Sequence, residues 1–333
     1  MKFFLTCLIS FLSLNIFAQD DIQKLLETAR TFTRQGDHTN AILVLNRAAT
    51  LKPGDLQIEK EIAYNQFLSG EYDQAATLIK PLLEREDADI QTFQIAGNIY
   101  KATNDKNECL KTYKKGIKKF PNSGVLHFEY GEVLLTGEQR SEAIDQWETG
   151  IDKDPSYAGN YYHAAKFYSF NKMYITRILL YGEIFVNLES YSIRTAEMKD
   201  YLLKTYKQFY ASAADADGKN QNIFETTVAK GLKKQSDQAP LGINTEVLTI
   251  IRTRFLLDWF EKNAEKYPYR LFEQQQYLVR EGLFEAYNQW LFGQVSDIVQ
   301  YQQWASNNAK KMNDFTYYQK NRVFRMPPGQ NYK

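Results

Sequence analysis

An all-α chain of stacked helical hairpins, followed by a helical C-terminal region, is the fold class this 333-residue sequence predicts. Three observations carry it. First, one pattern occurs twice between Ile90 and Pro155. Phe93, Ala96-Gly97, Tyr100, Cys109, Tyr113, Gly116 and Pro121 are matched, 34 positions on, by His127, Tyr130-Gly131, Leu134, Ala143, Trp147, Gly150 and Pro155. A fixed period of that length, holding two helical runs and a closing proline, marks a stacked helical repeat. Second, the same phase runs outward, with units starting near Ile22, Leu56, Ile90, Gly124 and Ala158. Third, the period is lost after Ser190, yet apolar residues still recur at helical spacing and no alternating strand pattern is present.

The elements follow in order. Residues 1–18 read as a signal peptide. Lys2 supplies the positive end, Phe3 to Leu14 the apolar core and Ala18 a small residue for cleavage. The apolar run is too short for a spanning helix, so an exported chain with no membrane span is expected, periplasmic or envelope-associated if bacterial. Cleavage after Ala18 would leave Cys109 as the one cysteine, which forbids an internal disulfide. It would also balance 40 basic against 40 acidic residues, since only Lys2 of the precursor's 41 and 40 is removed. No global charge points to nucleic acid or an anionic surface.

Residues 19–189 hold the five units. Gly97, Gly116, Gly131 and Gly150 lie inside helical runs, where glycine costs about 1 kcal/mol relative to alanine. Accepting that at fixed phase predicts a close approach of two helix backbones, with Cys109 and Ala143 facing the glycines. Tyr100, Tyr113, Leu134 and Trp147 are the expected fillers between hairpins, and Pro121 and Pro155 the expected stops. The second unit departs at Gln66 and Asp87. The fifth puts Arg177 in a small-residue slot and lacks the proline.

These residues resemble the tetratricopeptide repeat (TPR): small residues at repeat positions 8, 20 and 27, aromatics at 11 and 24, proline at 32. In the third unit they are Gly97, Cys109, Gly116, Tyr100, Tyr113 and Pro121. In the fourth they are Gly131, Ala143, Gly150, Leu134, Trp147 and Pro155. The resemblance covers roughly residues 22–189 and implies a TPR-type solenoid, a right-handed superhelix whose first helices line a concave peptide-binding groove. On this sequence the groove positions are Lys60, Tyr64 and Phe67; Asn98 and Lys101; Phe128 and Glu132; and Tyr162, Lys166 and Phe170. Aromatics interleaved with amides and charges suit a bound peptide. The competing reading packs several of these rings against neighbouring helices. The carboxylate clamp of some family members is not assembled, because Tyr64 stands where an asparagine would follow Lys60.

Residues 190–318 are expected to form further helices: Tyr191–Ala211, Ile223–Lys234, Thr245–Lys266 with Thr245 as cap, Leu271–Asn288 and Gln294–Asp314. Loops are expected at Ala213–Gln221 and Ser236–Asn244, and a basic tail over 319–333 that is either a docking segment or, the first reading, a solvated end. The aromatic cluster from Phe255 to Trp304 reads first as core. A second reading makes it a glycan platform through Tyr269 and Trp290, with residues 290–293 exposing a patch. Catalytic and metal constellations are not supported. His38, His127 and His163 have no ligand spacing, and Asp215-Ala216-Asp217-Gly218 lacks the later ligands of a calcium loop. The sequence therefore predicts a non-catalytic scaffold or adaptor without cofactor or metal. It would hold a protein or peptide partner in the cell envelope, with glycan binding as the alternative.

Overall fold

The computed structural model describes residues 20–170, 174–211 and 222–332. The signal-peptide expectation and the Asp215–Gly218 turn lie outside them. Among the described residues every regular element is helical. They form two compact units, 20–121 with 132–138, and 122–131 with the residues from 139 onward.

The first unit holds α1 (20–34), α2 (His38–Leu51), α3 (Leu56–Leu68), α4 (Tyr72–Leu82), α5 (Ile90–Ala102) and α6 (Lys106–Lys119), with the last turn of α7 (Gly124–Thr136). Helix starts follow the period because their caps do. The side chains of Asp55 and Asp89, 34 residues apart, accept from the backbone N–H groups of Ile58 and Thr92. Asp37 and Asp105 do the same for the second helices α2 and α6. The core is built at repeat phase from Leu26, Ala29, Leu45, Ala48, Ile58 and Ile62, then Ala63, Ala75, Ile79, Phe93, Ile99 and Tyr113. Helices α6 and α8 end at Lys119 and Lys153, two residues before Pro121 and Pro155.

The helical glycines also serve a contact that was not expected. A Cβ on Gly97 would stand 2.1 Å from the Tyr113 hydroxyl, and one on Gly131 would stand 2.4 Å from the Trp147 indole nitrogen. Each glycine admits the ring at position 24 of its own hairpin, and Cys109 does face Gly97, its thiol 3.6 Å from the Gly97 carbonyl. Trp147 Nε1 then donates to the Phe128 carbonyl at 3.3 Å. At Gly150 the intruder is Asn160, whose amide donates to the Gly124 carbonyl at 2.9 Å.

The second unit starts with the first turns of α7, then α8 (Arg140–Lys153), α9 (Ala158–Phe170), α10 (Ile175–Leu188) and α11 (Ile193–Ala211). Helix α11 begins 35 residues after α9 (193 − 158), so the hairpin step runs one helix beyond the last unit read from sequence. Repeat position 8 of a unit starting at 192 (158 + 34) is Lys199, where Gly97, Gly131 and Ala165 stand in earlier units.

Helices α12 (Ile223–Lys233), α13 (Thr245–Lys262), α14 (Arg270–Arg280), α15 (Phe284–Asn288), α16 (Gln294–Ser296), α17 (Ile298–Asn307) and α18 (Ala309–Asn321) complete the second unit. Several expectations are corrected here. Residues 236–241 wind into a 3₁₀ helix instead of a loop. Asn244, not Thr245, caps α13, and Thr245 is buried. That helix stops at Lys262. The single helix expected over 271–288 breaks at Gly282, whose φ of +69° glycine adopts readily. Asp297 caps a fresh start at Ile298. Residues 289–293 are a π turn with Leu291 and Phe292 buried, so the expected patch is absent.

Candidate functional site

Five of the ten expected groove residues lie in the first unit where solvent reaches them. Tyr64 is 36% exposed and stacks on Phe67 at 6.4 Å, and Phe67 meets Tyr72 of α4 at 5.9 Å. The sequence reading missed Tyr72; its place at the start of the second helix was the available signal. Asn98 and Lys101 stand on α5, and Glu132 on the last turn of α7. Lys101 and Glu132 line a cleft of about 460 Å³ with Asn104, Lys106, Cys109 and Thr136. Asn104 turns the chain at φ +56°, which aims Lys106 back over Gly137. Burial, with Glu108 and Asp105 nearby, pushes the Tyr100 phenol of this cleft above its ordinary value and keeps it a neutral hydroxyl. Cations, amides and hydroxyls in the same unit as an exposed aromatic pair can hold a peptide. A wider depression of about 550 Å³ between α1 and α2, rimmed by Asp21, Lys24 and Arg47, contains none of the expected residues.

Four of the other five groove positions, Lys60, Phe128, Tyr162 and Lys166, are engaged by neighbouring side chains. Lys60 is 1% exposed, and its ammonium donates to Asp89 at 2.6 Å. It thus joins one repeat to the cap of the next. Burial opposes the charge on Asp89, but hydrogen bonds from Lys60 and Thr92 hold its carboxyl below the usual range. Phe128 is half-buried between Tyr157 at 5.5 Å and His163 at 5.0 Å. Tyr162 is buried, donates its hydroxyl to Glu197 of α11 and lies 5.2 Å from the Arg194 guanidinium. Lys166 donates to the same Glu197 at 2.8 Å. Helix α11 covers this part of α9, which a pattern ending at residue 189 could not foresee. Phe170 is 70% exposed, edge-on to Tyr201 at 6.4 Å. Burial, with Arg194 and Lys166 nearby, pulls the His163 imidazole down to about 4, so it is neutral across the physiological range.

The C-terminal aromatics are core. Phe255, Trp259, Tyr269, Phe272, Phe284, Tyr287 and Phe292 are all buried. A glycan platform has lost Tyr269, and Trp290 is covered on one face by the Lys199 ammonium at 3.8 Å. Tyr277 keeps an open face, stacked on Tyr318.

Two buried polar networks join the last hairpins of the second unit to its C-terminal helices. Arg177, the residue out of pattern, donates to Glu225 of α12 at 2.5 Å and lies 3.4 Å from Glu148 of α8, which also accepts from Tyr168 and Tyr181. Glu183 of α10 pairs with Arg252 of α13 and accepts from Gln275 and Tyr287 at 2.7 Å each. Asn187, one turn on, accepts from Gln274 and Arg322. These are anchoring contacts: Arg177 faces Glu148 and Glu225, Arg252 faces Glu183, and Arg322 meets the amide oxygens of Gln274 and Asn187. Lys199 differs. Its amine has the Trp290 carbonyl at 2.8 Å, and burial pulls it down to about 7. Among the described residues no group of three His, Cys, Asp or Glu is placed to hold a metal, and no helix is long and apolar enough to cross a membrane.

Helical hairpins at a 34-residue step, with small residues admitting position-24 rings, define this chain as a TPR-type solenoid continued by a helical C-terminal region. No protein-family model and no curated sequence matches the chain. Among solved structures it is similar to a tetratricopeptide repeat protein from Parabacteroides merdae, 11% identical over 77% of this chain and 97% of that one, with a TM-score of 0.44. It is also similar to TTC0263, a TPR protein of Thermus thermophilus, at 15% identity over 56% and 98%, TM-score 0.44. A third is MamA of Desulfovibrio magneticus, at 15% over 51% and 94%, TM-score 0.40. Scores at this level carry no weight beside the hairpins themselves.

Proposed function

We propose that this protein is a non-catalytic scaffold or adaptor that holds a peptide or protein partner on the first-helix face of its first unit. The observation that carries it is the solvent-facing Tyr64–Phe67–Tyr72 ladder in the same unit as the polar cleft at Lys101 and Glu132. Rigid rings supply contact area at low entropic cost, and a few polar groups fix register. The signal-like residues 1–18 support export, which puts the partner in the cell envelope. Lys60, Phe128, Tyr162 and Lys166 act through the packing described above and not by touching the partner, while Phe170 stays open to solvent on the second unit.

The test is crosslinking capture from an envelope extract with wild type and with a Tyr64→Ala, Phe67→Ala, Lys101→Glu variant of unchanged helicity. Crosslinks from wild type are expected at Lys101 and Lys106 and are lost in the variant. Equal capture by both chains would remove the first-unit face from consideration. Export is checked separately, by whether the mature N-terminus begins at residue 19.

A further inference from the structure

The segment after α18 is bound to the second unit as a ligand would be. The chain leaves the helix at Arg322 in extended conformation, buries Phe324 and Met326, and turns after the exposed Pro327-Pro328 at Gly329, φ +80°. Three consecutive residues then enter a slot. Gln330 accepts from the Arg270 backbone N–H at 2.6 Å. Asn331 donates to Asp152 at 2.6 Å, and its carbonyl oxygen, 2.8 Å from the Tyr181 hydroxyl, shares that proton with Glu148. The Tyr332 carbonyl accepts from the Asn222 amide at 2.7 Å, and its phenol donates to the Pro268 carbonyl at 2.8 Å. Its ring lies 4.5 Å from Phe224 and 5.5 Å from Tyr267.

Each of these bonds reaches a partner at least 60 residues away. A segment merely finishing a helix satisfies its polar groups with its own turns and with water. This one meets donors and acceptors that exist without it. Helix α14 has no capping side chain of its own at Tyr269, and Gln330 supplies that acceptor. Main-chain recognition, an aromatic pocket and a side-chain amide in register are the ingredients of peptide binding. A tether this short sets an effective concentration on the order of millimolar, so a competitor in solution meets a filled slot.

We propose that this slot is a peptide-binding site closed in cis by residues 330–332, and that its outside partner is an extended segment carrying asparagine followed by tyrosine. Displacing the resident segment frees the Asn222 amide, the Arg270 N–H, the Pro268 carbonyl and the Phe224–Tyr267 walls together, so the site opens as a unit. It lies on the second unit and does not depend on the first-unit reading.

The test uses the full chain with Asn331→Ala and Tyr332→Ala and a fluorescein-labelled peptide of the sequence of residues 327–333. Anisotropy should show the peptide binding this variant at least tenfold tighter than wild type, and adding Asp152→Ala should weaken that binding threefold or more. A helical N331A/Y332A chain that binds no better than wild type would overturn the proposal and leave the segment a structural tie. Should that variant not fold, Gln330→Ala with Asn331→Ala keeps the tyrosine in place. It should still bind the peptide more tightly than wild type, and no gain there overturns the proposal equally.

Discussion

Replacing Lys199 by methionine is expected to stabilise the protein, most at low pH. The methionine keeps the volume of the stem and removes an ammonium set against the Trp290 carbonyl, at 2.8 Å, and the Trp290 ring face, at 3.8 Å. The fall of the amine from 10.5 to about 7 corresponds to an upper bound of ~5 kcal/mol at 1.36 kcal/mol per pH unit. Local relaxation and water entry take roughly half of that, and losing the bond to Trp290 costs about 1 kcal/mol. A gain of about 1–2 kcal/mol remains near pH 6. The sign follows from proton counting. Between pH 7 and 10 the unfolded chain holds the lysine proton and the folded chain releases it, so wild-type stability rises with pH through that window. Below pH 7 both states are protonated and the penalty is complete. Urea unfolding followed by circular dichroism at pH 6 and pH 9 reads both quantities. The variant's advantage should shrink at pH 9. An advantage equal at both pH values, or a less stable variant at pH 6, would refute the buried-cation account.

Further expectations bear on the packing. Gly131→Ala places a Cβ 2.4 Å from the Trp147 ring and should cost about 1–3 kcal/mol in urea unfolding; a loss below 0.5 kcal/mol would show the ring free to move. Arg177→Met deprives Glu148 and Glu225 of their shared cation and should cost about 3 kcal/mol, with early hydrogen exchange in α12. Asn244→Ala should cost about 1 kcal/mol through loss of the α13 cap, whereas Thr245→Ala leaves that bond intact. Tyr64→Ala with Phe67→Ala should change stability by less than about 1 kcal/mol, because both rings border solvent; a larger loss would make them core.

Of the candidate face, repeat position was legible and accessibility was not. Tyr64, Phe67 and Lys101 could be picked by repeat position, since each helix of a solenoid shows its neighbours a predictable set of positions. Lys60 occupies such a position too. Its burial depends on Asp89, 29 residues later, which the chain uses both as helix cap and as counter-ion. The cap series Asp55–Asp89–Ser123 was available in the sequence and would have flagged that pairing.

The sequence by itself determined the hairpins, their 34-residue step, their stops before Pro121 and Pro155, and the burial of Phe93, Tyr113 and Trp147, because a repeat encodes contacts between near neighbours and writes them again at each step. Tertiary structure alone decided how the second unit closes. Arg177 meets Glu225, Glu183 meets Arg252, Lys199 lies under Trp290, and Tyr332 enters the slot beside Phe224. These partners stand 48, 69, 91 and 108 positions apart (225 − 177, 252 − 183, 290 − 199, 332 − 224) and occur once each. A contact made once at long range leaves no period to read, and only the burial of the groups that share it reveals it.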